Sequence, residues 1–299
     1  MNSSTVVIVS AGIGAGLSRP PKMLYSIQSL LTEIGEPKMI YSGLLVIDIG
    51  NTNIHFGVWR GDSWQLSWRA RTVADKMPDE YAVLLRNFLS SADLSFNNIT
   101  GVIIGSVVPP LTGAFVELVK RYIGLDPIVV TNKTKTGVRI AIDQPEQAGA
   151  DRIINTAAII ALYGGPAIVI DFGTATTFDV VSADGAYCGG AIAPGIVVAH
   201  DALVSRAARL HKVDLEPPPD PIGQNTIHAM QSGIFWGYVS LVEGLVARIK
   251  KSMDADNIKV IATGGLAPLF NQHTDVIDTI APELTLDGLR IIYEMNQGG

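Results

Sequence analysis

Short apolar runs that end in turn residues alternate with amphipathic stretches along most of the chain. Residues 44–47 are uniformly apolar, as in a buried strand, and residues 48–53 carry the turn residues of a tight hairpin. Strand patterns resume over residues 54–59 and 64–71, and residues 79–88 then place their apolar side chains at helical spacing. The opening of this body therefore predicts three consecutive strands followed by a helix.

A strand, a helix and another strand are predicted next, over residues 102–104, 109–122 and 127–130. The opening pattern then returns, because apolar residues 167–170 lead into the sequence Asp-Phe-Gly-Thr-Ala-Thr-Thr of residues 171–177. A returning strand is predicted directly after it. The second half of the chain thus repeats the beginning of the first.

Aligning Asp48 with Asp171 superposes an apolar strand, an Asp-x-Gly turn, a run of small hydroxyl or amide residues and a returning strand. An internal duplication on this scale predicts two related α/β domains that face each other. A third strand, within residues 260–266, runs into the glycine pair Gly264-Gly265.

Residues 1–43 stand apart from this repeat. A short strand pattern at residues 6–9 and a glycine-rich run at residues 11–16 resemble a small βα unit. Their spacing departs from Gly-x-Gly-x-x-Gly, so dinucleotide binding is only weakly supported. An alternative is that natural translation begins at Met39.

Amino-acid composition and net charge argue against some classes of function. The chain has 299 residues, of which 47% are hydrophobic and 17% charged, and its net charge of −6 argues against nucleic acid or an anionic membrane as the main partner. Cys188 is the single cysteine, which excludes an internal disulfide and favours a reducing compartment. The longest charge-free run, residues 153–170, is broken by Gly164-Gly165-Pro166 and predicts a helix and a strand. The sequence therefore predicts a soluble, cytoplasmic protein that crosses no membrane.

The repeated turns suggest nucleotide binding. Glycine and small residues at a hairpin tip let backbone N–H groups approach phosphates, and an aspartate at the strand end can hold Mg²⁺ through water. A single Asp-x-Gly-Asn is more often only a turn, but two copies at matching places favour two tips that grip one triphosphate. The P-loop and protein-kinase signatures are both missing from the sequence.

Three stretches carry a specific resemblance: residues 45–56 (LVIDIGNTNIHF), residues 149–152 (GADR) and residues 171–176 (DFGTAT). Together they resemble type III pantothenate kinase, over residues 44–299. The resemblance implies an α/β fold of two duplicated actin-like (ribonuclease H-like) ATPase domains with an interdomain cleft. It divides the chain into an extension of unknown role (1–43), a first domain (44–164) and a second domain (165–299).

The resemblance also implies roles for individual residues. The ATP-binding residues it implies are Asp48, Ile49, Gly50, Asn51, Thr52, Asn53, Ile54, His55 and Thr174. The pantothenate-binding residues it implies are Gly149, Ala150, Asp151, Arg152 and Thr226. Asp151 is the implied catalytic base, Asp171 the implied ligand of a monovalent cation (K⁺ or NH₄⁺), and Asp48 the carboxylate on the Mg²⁺ side, acting through water.

Several of these residues have a structural alternative. Asp151 precedes apolar residues at helical spacing and by pattern alone reads as a helix N-cap, and Thr226 or Asn225 could cap the next helix. His55 is expected to be a packed bystander. Many relatives place a tyrosine shortly before Gly-x-Asp-Arg, whereas Ile142 stands there in this chain.

The implied reaction is the ATP-dependent phosphorylation of pantothenate to 4′-phosphopantothenate, the first step of coenzyme A biosynthesis, with Mg²⁺ and a monovalent cation. The implied partners are ATP, pantothenate and a second copy of the chain in a homodimer. Two alternatives stay open. One is a kinase for another small hydroxy acid or sugar on the same fold, and the other is a non-catalytic regulatory paralogue.

Overall fold

A computed structural model describes residues 43–207 and 210–297 of the chain. Almost all of the predicted extension 1–43, with its βα unit, lies outside the described residues. Gly43 is the exception, because it is the first residue of the first strand.

The first sheet has five strands in the order β3-β2-β1-β4-β5. Strands β1, β2 and β3 are antiparallel neighbours, and β4 and β5 run parallel to β1. The strand bounds are β1 Gly43–Ile49, β2 Asn53–Arg60, β3 Ser63–Arg71, β4 Ile99–Ser106 and β5 Ile128–Val129. The predicted succession of three strands, a helix and a strand is confirmed here.

The second sheet has six strands in the order β11-β10-β7-β8-β9-β6. Its strand bounds are β6 Arg139–Ile140, β7 Ala167–Phe172, β8 Ala175–Val181, β9 Ala186–Pro194, β10 Lys259–Thr263 and β11 Thr279–Ile280. Strands β7, β8 and β9 are antiparallel neighbours, and β10 and β11 run parallel to β7. Apart from the edge strand β6, this sheet repeats the order and the strand directions of the first. The predicted duplication is therefore present in the topology.

Eight α-helices within the described residues complete the fold. They are α1 Pro78–Ser90, α2 Pro109–Leu118, α3 Ala150–Leu162, α4 Ile196–Arg206, α5 Thr226–Gln231, α6 Gly237–Ser252, α7 Ala267–Asn271 and α8 Leu284–Met295. Two π-helical turns adjoin these helices: Val119–Ile123 follows α2, and Ser232–Trp236 connects α5 to α6. None of these helices combines the length and the apolar character that a bilayer crossing requires.

Helices α3 and α8 lie between the two sheets. On the first sheet, Val46 and Ile103 pack against Ile154 of α3 and Leu289 of α8. On the second sheet, Val169 packs in a cluster that also includes residues of α3 and α8. Both helices therefore contribute to the cores of both halves, and they fix how the sheets face each other.

The outer face of each sheet has its own core. Leu45 and Ile47 of β1 pack in a cluster with residues of α1 and α2, and Ile168 and Ile170 of β7 pack in a cluster with residues of α6 and α7. Successive residues of a strand point to opposite faces, so β1 and β7 are buried on both sides. This explains why both strands read as uninterrupted apolar runs rather than as an alternating pattern.

Candidate active site

The tips of the two equivalent hairpins meet. The side-chain oxygens of Thr52, in the β1–β2 turn, and Thr174, in the β7–β8 turn, are 2.6 Å apart. Both threonines are exposed. Two turns that are 122 residues apart in the chain therefore present their small side chains and backbone at one place on the surface.

An equivalent backbone hydrogen bond holds each hairpin tip in place. The backbone N–H of Thr72, the residue after β3, donates to the Thr52 carbonyl at 2.9 Å. The backbone N–H of Gly195, the residue after β9, donates to the Thr174 carbonyl at 3.0 Å. The third strand of each sheet thus holds the tip of the first hairpin, and Thr52 and Thr174 occupy equivalent positions.

Gly264, the residue after β10, packs against the end of β7, beside the tip of the second hairpin. Gly264 has a φ of +87°, and a Cβ atom placed there would lie 2.6 Å from the Phe172 carbonyl oxygen and 2.8 Å from Asp171 Oδ1. A side chain at this position would collide with the backbone of the hairpin, so the close approach requires glycine. The strand exit at Gly264-Gly265 that the sequence singled out therefore lies against Asp171.

The carboxylates of Asp48, Asp171 and Asp151 influence one another. Burial, together with the negative charges of Asp171 and Asp151, raises the pKa of Asp48 to about 7, and Arg69 opposes this shift. Burial and the charges of Asp151 and Asp179 likewise raise the pKa of Asp171 to about 6. The carboxyl groups of Asp48 and Asp171 lie deep although part of each residue remains in contact with solvent. The aspartates at the ends of β1 and β7 therefore share one electrostatic environment with Asp151.

This set of donors fits a bound cation. Carboxylate oxygens are the ligands that Mg²⁺ prefers, and positive charge among mutually repelling carboxylates favours their ionised forms. Within the described residues, no three His, Cys, Asp or Glu side chains are grouped closely enough to hold a metal ion by themselves.

Asp151 lies in the first turn of α3. The N-cap of this helix is Gly149, and no side chain caps it, so the interpretation of Asp151 as the N-cap is wrong. The helix begins two residues earlier than an N-cap at Asp151 would require, because Gly149 is the N-cap and Ala150 is the first helical residue. Asp151 is the acidic residue of the first turn, at the positive end of the helix dipole.

Arg152 lies beside a cavity of about 510 Å³. Its Nε is 3.6 Å from Oδ1 of Asp179, which is buried in β8. Ile142, the residue that stands where many relatives have tyrosine, lines the same cavity. The segment Gly149-Ala150-Asp151-Arg152 therefore connects the shared carboxylate environment to an adjacent cavity.

Thr226 lies elsewhere. It is the first residue of α5, its neighbour Asn225 is the N-cap and accepts a hydrogen bond from the His228 N–H at 2.9 Å, and Thr226 itself is exposed. It lines a larger, mainly apolar cavity of about 910 Å³, and residues 149–152 are not part of that lining. Of the two caps that the sequence left open, the structure uses Asn225.

The remaining residues of the first hairpin are mostly structural in their contacts. Ile49 and Ile54 are fully buried, and Gly50 donates its N–H to the Asn53 carbonyl at 3.0 Å. His55 is 8% exposed, and its Nε2 lies 2.7 Å from Ser67 Oγ and 3.2 Å from Glu283 Oε2. Burial lowers the pKa of His55 to about 4, so the ring is neutral at neutral pH.

Two polar residues of the site escaped the sequence interpretation. Asp179 is 2% exposed in the middle of β8, and Asn155 is 2% exposed in α3, one turn after Asp151. Asn155 hydrogen-bonds Asp171, which lowers the pKa of that carboxyl, and it accepts a hydrogen bond from Thr285 at 2.8 Å. A polar side chain inside an apolar run was the available signal for both, because burial of such a group requires partners.

The arrangement has the parts that phosphoryl transfer to an alcohol needs. Two small-residue tips lie where backbone groups can approach phosphates, two strand-end carboxylates fit cations, and a third carboxylate stands at a helix N-terminus beside a cavity with an arginine.

Comparison with known proteins identifies relatives over most of the chain. The family model for type III pantothenate kinase matches residues 44–248. Type III pantothenate kinase of Roseiflexus castenholzii is 51% identical over 254 residues, which cover 85% of this chain and 99% of the relative. The Moorella thermoacetica protein of the same name is 48% identical over 253 residues, covering 85% and 99%.

A solved structure supports the fold. A Campylobacter jejuni protein assigned to the Baf family of transcriptional activators aligns with a TM-score of 0.55 and 21% identity, covering 84% of this chain and 98% of that one. At this identity the likeness concerns the fold alone.

Proposed function

The chain belongs to the type III pantothenate kinase family, and we propose that it transfers the γ-phosphoryl group of ATP to pantothenate at the site where the two hairpin tips meet. The product is 4′-phosphopantothenate, and the reaction opens coenzyme A biosynthesis. The observation that carries the location is the 2.6 Å contact between Thr52 and Thr174, which joins two copies of one motif at a single place.

Asp151 serves as the general base. Its carboxylate accepts the proton of the 4′-hydroxyl as the hydroxyl oxygen bonds to the γ-phosphorus and the bond from that phosphorus to the β–γ bridging oxygen breaks, which releases ADP. A positioned base of this kind contributes about 10²- to 10⁴-fold to a rate. Asp151 lies in the first turn of α3, at the positive end of the helix dipole.

The two hairpins hold the nucleotide. Residues 48–55 and Thr174 bind ATP through backbone N–H groups and threonine hydroxyls. Asp48 would hold Mg²⁺, through water, and Asp171 would hold a monovalent cation, K⁺ or NH₄⁺. When bound, these cations neutralise charge on the phosphate oxygens.

The acceptor lies beside α3. Residues 149–152 line its site, and the Arg152 guanidinium attracts the carboxylate of pantothenate because its planar set of donors matches a carboxylate. The contact of Thr226 with pantothenate, the homodimer, the cytoplasmic location and the division of the chain at residues 43 and 164 stay predictions.

The function is tested by coupled measurement of ADP release from purified protein with ATP and pantothenate. We expect turnover that requires both Mg²⁺ and pantothenate and that rises when K⁺ or NH₄⁺ replaces Na⁺. A panel of other small hydroxy acids and sugars separates pantothenate kinase from a kinase of different specificity. A protein that binds ATP but releases no ADP with any acceptor would instead be the non-catalytic paralogue, and the proposal would be wrong.

A further inference from the structure

The cavity beside Arg152 contains a carboxylate that the proposed reaction does not use. Asp179 lines this cavity from β8, together with Tyr187 of β9. Asp151, the proposed base, precedes Arg152 in α3 and lies close enough to the cavity that its charge contributes to the raised pKa of Asp179. A group that orders this cavity would therefore act on the acceptor close to the reacting hydroxyl.

Asp179 is held from three sides. Thr177 donates its hydroxyl to Oδ2 at 3.0 Å, the Tyr187 hydroxyl lies 3.4 Å from Oδ1, and the Arg152 Nε lies 3.6 Å from the same oxygen. Thr177, Asp179 and Tyr187 are all buried. Thr177 and Tyr187 belong to the paired strands β8 and β9, and Arg152 belongs to α3, so Asp179 is a buried negative charge at the cavity wall with partners on three elements.

Arg152 depends on this charge for its own position. The ion pair runs through Nε, which is buried and has no hydrogen-bond partner. The side chain of Arg152 is 22% exposed, whereas that of Asp179 is 3% exposed. The guanidinium is thus drawn toward the protein at Nε, and its terminal nitrogens, which are the donors suited to a carboxylate ligand, are not used by this ion pair.

Burial of a carboxylate destabilises the folded protein. Burial raises the pKa of Asp179 to about 6, although Thr177, Arg152 and Tyr187 oppose the shift. A residue of this kind lowers the free energy of unfolding at neutral pH relative to a neutral polar residue. Its presence at this position is therefore better explained by what it does to Arg152 than by a contribution to folding.

We propose that Asp179 is a positioning residue that fixes the Arg152 guanidinium at the cavity wall and thereby sets the preference of the enzyme for an acceptor with a carboxylate. The inference rests on the proposed function, because Arg152 is taken to contact the carboxylate of pantothenate. It adds a residue outside Gly149-Ala150-Asp151-Arg152 to the determinants of specificity, and it predicts that Asp179 acts through Arg152 alone.

The test compares pantothenate with its alcohol analogue, in which a hydroxymethyl group replaces the carboxylate. Steady-state kinetics are measured for the wild type, Asp179→Asn, Arg152→Lys and the double variant. Asp184→Asn is the matched control, since Asp184 pairs with Arg139 at the surface, outside the cavity. Calorimetric titration of pantothenate provides a readout independent of turnover.

For Asp179→Asn we expect KM and Kd for pantothenate to rise about tenfold or more, with KM for ATP within about twofold of the wild type. The ratio of kcat/KM between pantothenate and the alcohol should fall toward that of Arg152→Lys. The double variant should be little worse than either single one, because both changes remove the same interaction. Asp184→Asn should match the wild type.

An unchanged ratio, an equal loss for both acceptors, or independent effects of the two substitutions would overturn the inference. If Asp179→Asn does not fold, Tyr187→Phe removes a hydroxyl that hydrogen-bonds both Asp179 and Arg152, and it should lower the same ratio about threefold. An unchanged ratio in that variant also counts against the proposal. Failure of the wild type to phosphorylate pantothenate would contradict the proposed function itself, and is thus distinguishable from failure of the role of Asp179.

Discussion

The hairpins β1–β2 and β7–β8 share a backbone frame and differ in the surroundings of their aspartates. Asp48 and Asp171 are each the second-to-last residue of the first strand of their sheet, and each tip threonine is fastened by the residue after the third strand. Arg69 favours the ionised form of both carboxylates, and Asp171 has in addition Asn155 as a hydrogen-bond partner.

The two duplicated hairpins have therefore kept the same backbone arrangement, while the side chains around their aspartates have diverged. Burial is the main reason that the pKa values of both carboxyls are raised, that of Asp48 to about 7 and that of Asp171 to about 6. A cation bound beside either carboxylate would favour its ionised form.

The largest effect is expected at Asp151, the proposed proton acceptor, which lies outside both hairpins. Asp151→Asn should lower kcat about 10³-fold and leave the Kd for ATP within about twofold, because the amide cannot accept the proton. Asp79→Asn is a matched control, since Asp79 holds the same helical position in α1 but is exposed and pairs with Arg121. Single-turnover kinetics and nucleotide binding check this. A variant with near wild-type turnover would show that proton transfer is performed elsewhere.

The next effect separates the two hairpins. Asp48→Asn should lower kcat/KM for Mg²⁺-ATP about 100-fold and retain activation by K⁺, because it removes a charge beside the phosphates. Asp171→Asn should lower activity about tenfold in K⁺ and become indifferent to exchange of K⁺ for Na⁺. Rates measured over a series of each cation decide between them. Identical cation profiles in the two variants would break the proposed division of labour.

The substitution Asp48→Asn, which should lower activity, should at the same time stabilise the folded protein. In the ligand-free and metal-free protein, the folded state of Asp48 holds its proton up to about pH 7, whereas the unfolded chain loses it near the ordinary value of 3.8. The unfolded state therefore binds fewer protons in this window, and the free energy of unfolding falls as the pH rises through it. Asp48→Asn should raise the melting temperature at neutral pH by a few degrees and give no gain near the lower end of the window. Calorimetry at a series of pH values tests this, and a destabilised variant at neutral pH would contradict it.

The smallest effect concerns the contact between the tips. Thr52→Val and Thr174→Val should each raise KM for ATP about three- to fivefold, because each removes one hydroxyl from the shared contact. The double variant should show less than the product of the two effects. Thr131→Val, which breaks a contact between exposed hydroxyls in a loop after β5, is the control. Fully multiplicative effects would mean that the tips act separately.

Much of the fold could be predicted because β1 and β7 are buried on both faces. Their uninterrupted apolar runs, and the Asp-x-Gly turns that follow, identified both hairpins and their duplication. Strand β6, which has two residues, left no such signal, and helix α8 lies in a segment for which no element was predicted. The partners of a two-residue edge strand are set by the neighbouring sheet rather than by its own sequence.

The residues of the candidate site were likewise only partly predictable from the sequence. The sequence brought out Asp48, Asp151 and Asp171 as candidates, since an acid beside glycine or a helix start is visible in one dimension. It gave no basis for grouping Asp179 with Arg152, because these residues are on different elements and meet only through the packing of α3 against the second sheet. The separation of Thr226 from the cavity of Arg152 within one chain was equally invisible.

By itself the sequence determined the family, the two repeated hairpins and the chemical type of each candidate residue, because local pattern and residue identity encode these. Only the tertiary structure decided which residue of the first turn matches Thr174. The first turn is one residue longer than the second, so counting from Asp-x-Gly pairs Asn51 with Thr174, whereas the hydrogen bonds pair Thr52 with it. The physical reason is that a turn residue takes its position from the strand that fastens it, and that strand lies about 20 residues further along the chain.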